Sequence, residues 1–216
     1  MVYLPPHFEM SDREQIAALI AANPLATLVT IGPDGICANH IPLLLDPNRG
    51  DNGTLIGHVA RNNDLWRDGH HQGESLAIFQ GIDAYITPTW YASKQETHEV
   101  VPTWNYAVVH AYGELVIHDD ERWVRGVVGR LTQAMERRQP EPWRMGDAPQ
   151  AYLTTMLANI VGIEMPISRL IGKWKVSQNR TPEDRESAID GLRRTGDPDN
   201  TEMADLIAGA NRVAGE

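Results

Sequence analysis

The sequence has a single cysteine, Cys37, in 216 residues. No internal disulfide can form, and no cysteine-based zinc site can be built. Lysine is nearly as scarce: of 19 basic residues only Lys94, Lys173 and Lys175 are lysines, and the rest are arginines. Acidic residues number 29, so the net charge is −10. That excludes a broad phosphate-gripping face but leaves room for a local basic patch. No apolar run approaches the roughly 20 residues that a membrane-spanning helix needs. The opening MVYLPPHFEM lacks the basic start and unbroken apolar stretch of a signal peptide, so a cytoplasmic protein is expected.

Catalytic signatures are missing too. There is no Gly-rich phosphate loop. His98-Glu99-Val100-Val101-Pro102 begins like a metalloprotease helix but has proline where the second histidine belongs. Gly73-Glu74-Ser75-Leu76-Ala77 lacks the last glycine of a nucleophile elbow and leads into a strand. His70 and His71 are adjacent and poorly placed to bind one metal from the same side. Neither a metal site nor a catalytic residue is assigned.

What is present is an ordinary globular composition, 42% apolar and 22% charged. Ser11-Asp12-Arg13-Glu14 reads as a capping box before a first helix with Ile16, Leu19 and Ile20 on one face. Residues 26–31 and 36–45 read as a hairpin around Gly32-Pro33-Asp34-Gly35, with Pro42 marking an edge or a bulge. Further strands are expected at 54–59, 75–79, 84–87, 108–117 and 160–167, the third and second of these separated by Gly81. A long loop covers 88–105. A helix opens at Asp119-Asp120-Glu121, with Val124, Val127, Val128, Leu131 and Met135 as its buried stripe. Gly126 and Gly129 inside it suggest close approach to another element. A short helix at 151–158 and a longer one from Thr181-Pro182 follow, then a tail over 196–216 that is at most a short helix. Consecutive strands with short turns imply antiparallel pairing. The class is α+β, with about six or seven strands and barrel closure as one outcome.

Four segments combine polar groups with aromatics near strand ends. In Asn39-His40-Ile41-Pro42, irregular backbone beside the proline offers polar groups to a planar ligand, or Asn39 and His40 simply make internal hydrogen bonds. In Gly57-His58-Val59-Ala60-Arg61-Asn62-Asn63, Arg61 suits a phosphate, or is a solvated turn residue. The long loop carries Trp90-Tyr91-Ala92-Ser93-Lys94 and Val101-Pro102-Thr103-Trp104-Asn105-Tyr106, which wall a flat ligand or pack beneath the loop. Gly172-Lys173-Trp174-Lys175-Val176-Ser177-Gln178-Asn179-Arg180 reads as a cationic segment after the last strand, with both lysines on one side if extended. Together the four point to an anionic, aromatic-containing ligand.

The same segments, with MVYLPPHFEM and IVGIEMPISRLIGKWKVSQNR, resemble the PaiB family of FMN-binding negative transcriptional regulators, over residues 1 to 195. The resemblance implies a flavin-binding antiparallel split β-barrel with flanking helices, similar to pyridoxamine-phosphate oxidases. It implies a 1–195 domain with a 196–216 tail, and a homodimer with FMN at the interface. It places Arg61, Asn62 and Lys94 near the FMN phosphate. It places Asn39, His40, Ile41 and Pro42 beside the ring, with His58 near the same pocket as a further cofactor residue, and Thr103, Trp104 and Asn105 facing ribityl and ring. Lys173 and Trp174 would reach across from the partner subunit. The expected function is a PaiB-type FMN-binding regulator, the alternative a flavin-dependent oxidoreductase on a small molecule. Residues 169–194 hold seven basic and four acidic side chains, yet no helix-turn-helix pattern follows, so direct DNA binding is expected to be weak or absent.

Overall fold

The computed structural model describes residues 2–213, with side chains described for 2–210. The strands are β1 (Glu9–Met10), β2 (Leu25–Gly32), β3 (Gly35–Asp46), β4 (Thr54–Ala60), β5 (Ser75–Ile86), β6 (Thr103–Gly113), β7 (Val116–His118), β8 (Ile160–Pro166) and β9 (Arg169–Lys175). The helices are α1 (Arg13–Ala22), α2 (Glu121–Glu136), α3 (Gln150–Ala158), α4 (Pro182–Arg194) and α5 (Pro198–Val213). The strand order is β1-β9-β6-β5-β2-β3-β4-β8-β7. The class is α+β, an antiparallel split barrel. Its sheet has two ends, β1 and β7, so the closure considered from sequence does not occur among the described residues.

The chain divides into two compact units. The first holds residues 1–16, 80–109 and 171–216, the second 17–79 and 110–170.

In the second unit, β2 alternates as its sequence does: Ala26, Leu28 and Thr30 are buried and the residues between them are not. It pairs with β3 from Leu25↔Pro42 to Gly32↔Gly35. β3 is an interior strand, not an edge. Pro42 is tolerated because pairing with β2 ends there and pairing with β4 begins at Leu43↔Gly57, so no ladder donor is lost. The Leu43 amide turns instead to the Pro24 carbonyl, at 2.8 Å. β8 lies between β4 and β7, and residues 161–165 are all buried. Asp120 caps α2 by accepting from the Trp123 amide at 2.8 Å. Val124, Val127 and Leu131 are buried, whereas Met135 is exposed, so the stripe is narrower than its sequence suggested. Gly126 has nothing near it and Gly129 meets only Met145 at ordinary contact distance. The close approach is at Gly162 of β8, across which the Trp123 ring lies.

In the first unit, β1 pairs with β9 through Glu9↔Lys173 and Met10↔Gly172. The first part of the cationic segment expected after the last strand, residues 172–175, is therefore itself strand. Its pairing partner lies more than 160 residues away (Glu9 and Lys173), which local pattern cannot reveal. Nor does Gly81 interrupt β5, which runs unbroken for 12 residues. The cap of α1 is Asp12 rather than Ser11, accepting from the Glu14 amide at 2.8 Å. In α4, Thr181 caps and Pro182 opens the helix as the sequence indicated. The tail forms α5, a 16-residue helix whose Met203, Ala204 and Ile207 are fully enclosed; Arg193 of α4 donates to Asp205 at 2.8 Å.

Candidate functional site

The residues singled out from sequence fall into two groups, one on each unit, and each group has its own geometry.

On the second unit, β3 and the turn after β4 carry Asn39, His40, Ile41, Pro42, His58, Arg61 and Asn62. Alternation along β3 leaves His40 and Pro42 exposed and buries Ile41, so Ile41 faces the core. Asn39 is half-buried, and its carbonyl oxygen accepts from the Asn63 side chain at 2.8 Å. Asn63 in turn caps the short turn 64–66, accepting from the Leu65 amide at 2.9 Å. His58 is half-buried, with its Nδ1 enclosed and without a hydrogen-bond partner. Burial holds its pKa below the ordinary histidine value, because the charged ring would lose its hydration.

Arg61 is not a free cation. Its guanidinium grips Asp119 with two bonds, at 3.0 and 2.5 Å. Its Nε donates to the Ala158 carbonyl at 2.7 Å and a terminal nitrogen to Ile160 at 3.3 Å. The pairing raises the Arg61 pKa and lowers that of Asp119. The Trp66 indole donates to the Arg61 carbonyl at 2.9 Å, and the guanidinium carbon sits 5.6 Å from that ring's centroid. The sequence offered no signal for Asp119 as the partner, since 58 residues separate the two. Asn62, next to Arg61, is exposed.

On the first unit, Lys94 sits half-buried in the short turn Ala92–Gln95. Asp184 anchors that turn by accepting from the Ser93 amide at 2.9 Å and hydroxyl at 2.8 Å. Thr103, Trp104 and Asn105 open β6. Trp104 is 55% exposed and meets Tyr85 edge-on at 5.8 Å. Asn105 is enclosed and donates to the Ser177 hydroxyl at 2.9 Å. Lys173 is enclosed, donates to the Tyr3 carbonyl at 2.9 Å and lies 5.2 Å from the centroid of Tyr106. Trp174 is only 5% exposed. Its indole packs within its own chain.

Sequence reasoning passed over Lys175, Ser177 and Arg180 as individual site residues. Lys175 donates to the Thr103 hydroxyl and to the Trp104 carbonyl. Burial, then the nearby charges of Lys173 and Arg180, push its pKa down. The alternation of lysines in Gly172-Lys173-Trp174-Lys175 was the available signal.

Residues 2–169 match the family described as "Putative FMN-binding domain". The chain belongs to this FMN-binding family. It is 29% identical to the Bacillus subtilis protease synthase and sporulation protein PAI 2, over 95% of this chain and 96% of that protein. Among solved structures it resembles the flavocytochrome Anf3 of Azotobacter vinelandii, with a TM-score of 0.58 at 12% identity over 77% of this chain and 69% of that one. It also resembles an FAD- and heme-binding protein of Mycobacterium smegmatis, with a TM-score of 0.56 at 16% identity over 77% and 73%. At these identities the two structures establish the shared fold. FMN is the cofactor of the family, and no helix among the described residues is long and apolar enough to cross a membrane.

Proposed function

We propose that this protein binds FMN through the edge made by β3 and the turn after β4, and that it works as a PaiB-type regulator in the cytoplasm. The observation that carries the proposal is the family match, which spans all of that edge. The residues fit the group. His40 and Pro42 give β3 an exposed polar and flat border, Asn62 is open to ligand, and the orphaned Nδ1 of His58 lies on the neighbouring strand. Arg61 serves the phosphate either by leaving Asp119 or by fixing the turn that presents Asn62. Lys94, Thr103, Asn105 and Lys173 remain proposed cofactor residues of the first unit, with Trp104 as a flat wall and Trp174 as packing beneath them, and Ile41 is packing beneath β3 in the second unit. Bound flavin supplies the redox chemistry, and the chain supplies binding, orientation and charge.

We further propose a homodimer, which exposed apolar side chains on the β2–β3 hairpin support. Leu25, Ile31 and Ile36 are 62%, 50% and 82% exposed, and a second copy would cover them. Ile36→Lys would then shift the mass measured by light scattering from two chains to one. Direct DNA contact is proposed to be weak, since Arg169 and Arg193 in the basic stretch are held by Glu74 and Asp205. A tight, salt-sensitive shift of operator DNA by the purified protein would refute this.

The decisive experiment is the visible spectrum of purified protein before and after adding FMN and desalting. A retained two-band spectrum at about one FMN per chain, weakened in Arg61→Ala, supports the proposal. A colourless protein after reconstitution removes it. The second function, an FMN-dependent oxidoreductase, is favoured by one observation: a cluster of cations on the first unit that pairs with no carboxylate among the described residues.

A further inference from the structure

We infer that the first unit carries a binding site for a phosphate attached to a flat aromatic ring, built from Lys173, Lys175 and Arg180 with Trp104 and Tyr85 as its wall. Three cations converge here. Lys173 lies over the rings of Tyr3 and Tyr106, and Arg180 lies 4.6 Å from the centroid of Tyr91. Lys175 is tied to Thr103 and to the Trp104 carbonyl. None of the three pairs with a carboxylate among the described residues. Elsewhere arginines do have such partners, as Arg49, Arg61, Arg130 and Arg193 illustrate. Like charges gathered with no carboxylate in direct contact repel one another, and a doubly charged phosphate relieves that repulsion while accepting several charge-assisted hydrogen bonds.

The backbone and the enclosed polar groups fit the same purpose. Ser177 is a buried non-glycine residue held at φ +63°. Such strain persists only where the surroundings over-determine it, and it concentrates at ligand-binding places. Asn105 fixes the Ser177 hydroxyl, and the Arg180 amide closes the turn on the Ser177 carbonyl at 3.0 Å. The Tyr91 hydroxyl is enclosed, with the Arg180 guanidinium and the Ser177 hydroxyl beside it. Trp104 and Tyr85 are half-exposed or more, and they offer aromatic surface beside the Lys175 tether.

The phosphate has two possible sources. It is either that of FMN, in which case the inference rests on the flavin reading and these cations take the phosphate in place of Arg61, or that of a separate phosphorylated aromatic substrate, in which case it does not. Thermal melting of the parent is measured in inorganic phosphate and in sodium chloride of matched ionic strength. FMN and riboflavin affinities are measured by fluorescence quenching in the parent, Lys175→Met, Arg180→Gln and the charge-keeping Lys175→Arg. The expected result is a phosphate-specific rise in Tm that Lys175→Met and Arg180→Gln abolish and Lys175→Arg retains. If the phosphate is that of FMN, the advantage of FMN over riboflavin shrinks about tenfold or more in the two charge-removing variants. If it belongs to a separate ligand, that advantage is unchanged while the phosphate effect is lost. Phosphate stabilisation in a protein that binds no flavin removes the proposed cofactor site and leaves this one standing. A parent that melts identically in phosphate and chloride, with an FMN advantage untouched by the variants, overturns the inference. The parent titrations decide even where a variant does not fold.

Discussion

Replacing Gly162 by alanine puts a methyl group where the Trp123 ring already lies. A Cβ built on Gly162 would stand 2.2 Å from Trp123 Cζ3, 2.4 Å from Cε3 and 3.1 Å from the His118 carbonyl oxygen. Carbon atoms in contact need roughly 3.5–4.0 Å, so more than an ångström must be found. The ring has little freedom to supply it. It is stacked on the His118 imidazole, with centroids 4.0 Å apart and planes 10° from parallel. Trp123 also packs against the cluster of Ile56, Val127 and Leu131. His118 is itself held, 3.1 Å from the buried Glu164 carboxylate, which also accepts from Arg49 at 2.7 Å. Alanine therefore forces α2 away from β8 or drives Trp123 out of its rotamer. Overpacking of this kind costs about 2–3 kcal/mol. For a chain of this length each kcal/mol lowers Tm by about 2–4 °C, so a fall of about 4–12 °C is expected. Calorimetry measures it. Trp123→Leu removes the obstructing ring, so adding Gly162→Ala to that variant is expected to lower Tm far less than adding it to the parent. The coupling between the two sites should reach about 1–2 kcal/mol. A Gly162→Ala protein melting within about 1 °C of the parent would refute the argument. Strict additivity of the two substitutions would refute it as well.

Three other perturbations test separate parts of the structure. Burial lowers the His58 pKa, so the unfolded chain, with an ordinary value of 6.5, binds the proton more readily. The stabilising contribution is thus present above about pH 6.5 and is lost as pH falls from there toward the folded value. Urea midpoints at pH 7.5 and 5.5 should show a smaller acid loss in His58→Gln than in the parent, and an equal or larger loss would contradict this. Asp184→Ala strips the Ser93 amide and hydroxyl of their acceptor, a loss of about 1–3 kcal/mol. It should speed tryptic cleavage at Lys94, and an unchanged cleavage rate would count against the anchor. Gly191→Ala sets a Cβ 2.3 Å from Trp90 Cγ, so a fall in Tm is expected, relieved by Trp90→Leu. A Tm equal to that of the parent would show that Trp90 moves aside freely.

Features that depend on a few neighbouring residues were legible in the sequence. The alternation of β2, the hairpin turn at Gly32-Pro33-Asp34-Gly35 and the Thr181-Pro182 start of α4 each follow from short-range sterics or capping, and each formed in place. The six blocks shared with the PaiB family pointed to an FMN-binding chain, because a cofactor site draws on several strand ends whose order in sequence is kept. What sequence left undecided involves groups far apart along the chain. Pro42 was tolerated inside the sheet only because one strand partner hands over to the next at that residue. Segment 169–175 became a strand because it lies between β1 and β6, which supply its hydrogen bonds. Arg61 found Asp119, and Gly162 came to lie beneath Trp123, through the packing of α2 and β7 around β8. The cations at Lys173, Lys175 and Arg180 became a cluster only when a strand and a strained turn brought them together. Local propensity and patterning act within a few residues of the chain, whereas charge pairing and close packing act across space, so tertiary structure alone decided which polar groups are satisfied and which remain open to a ligand.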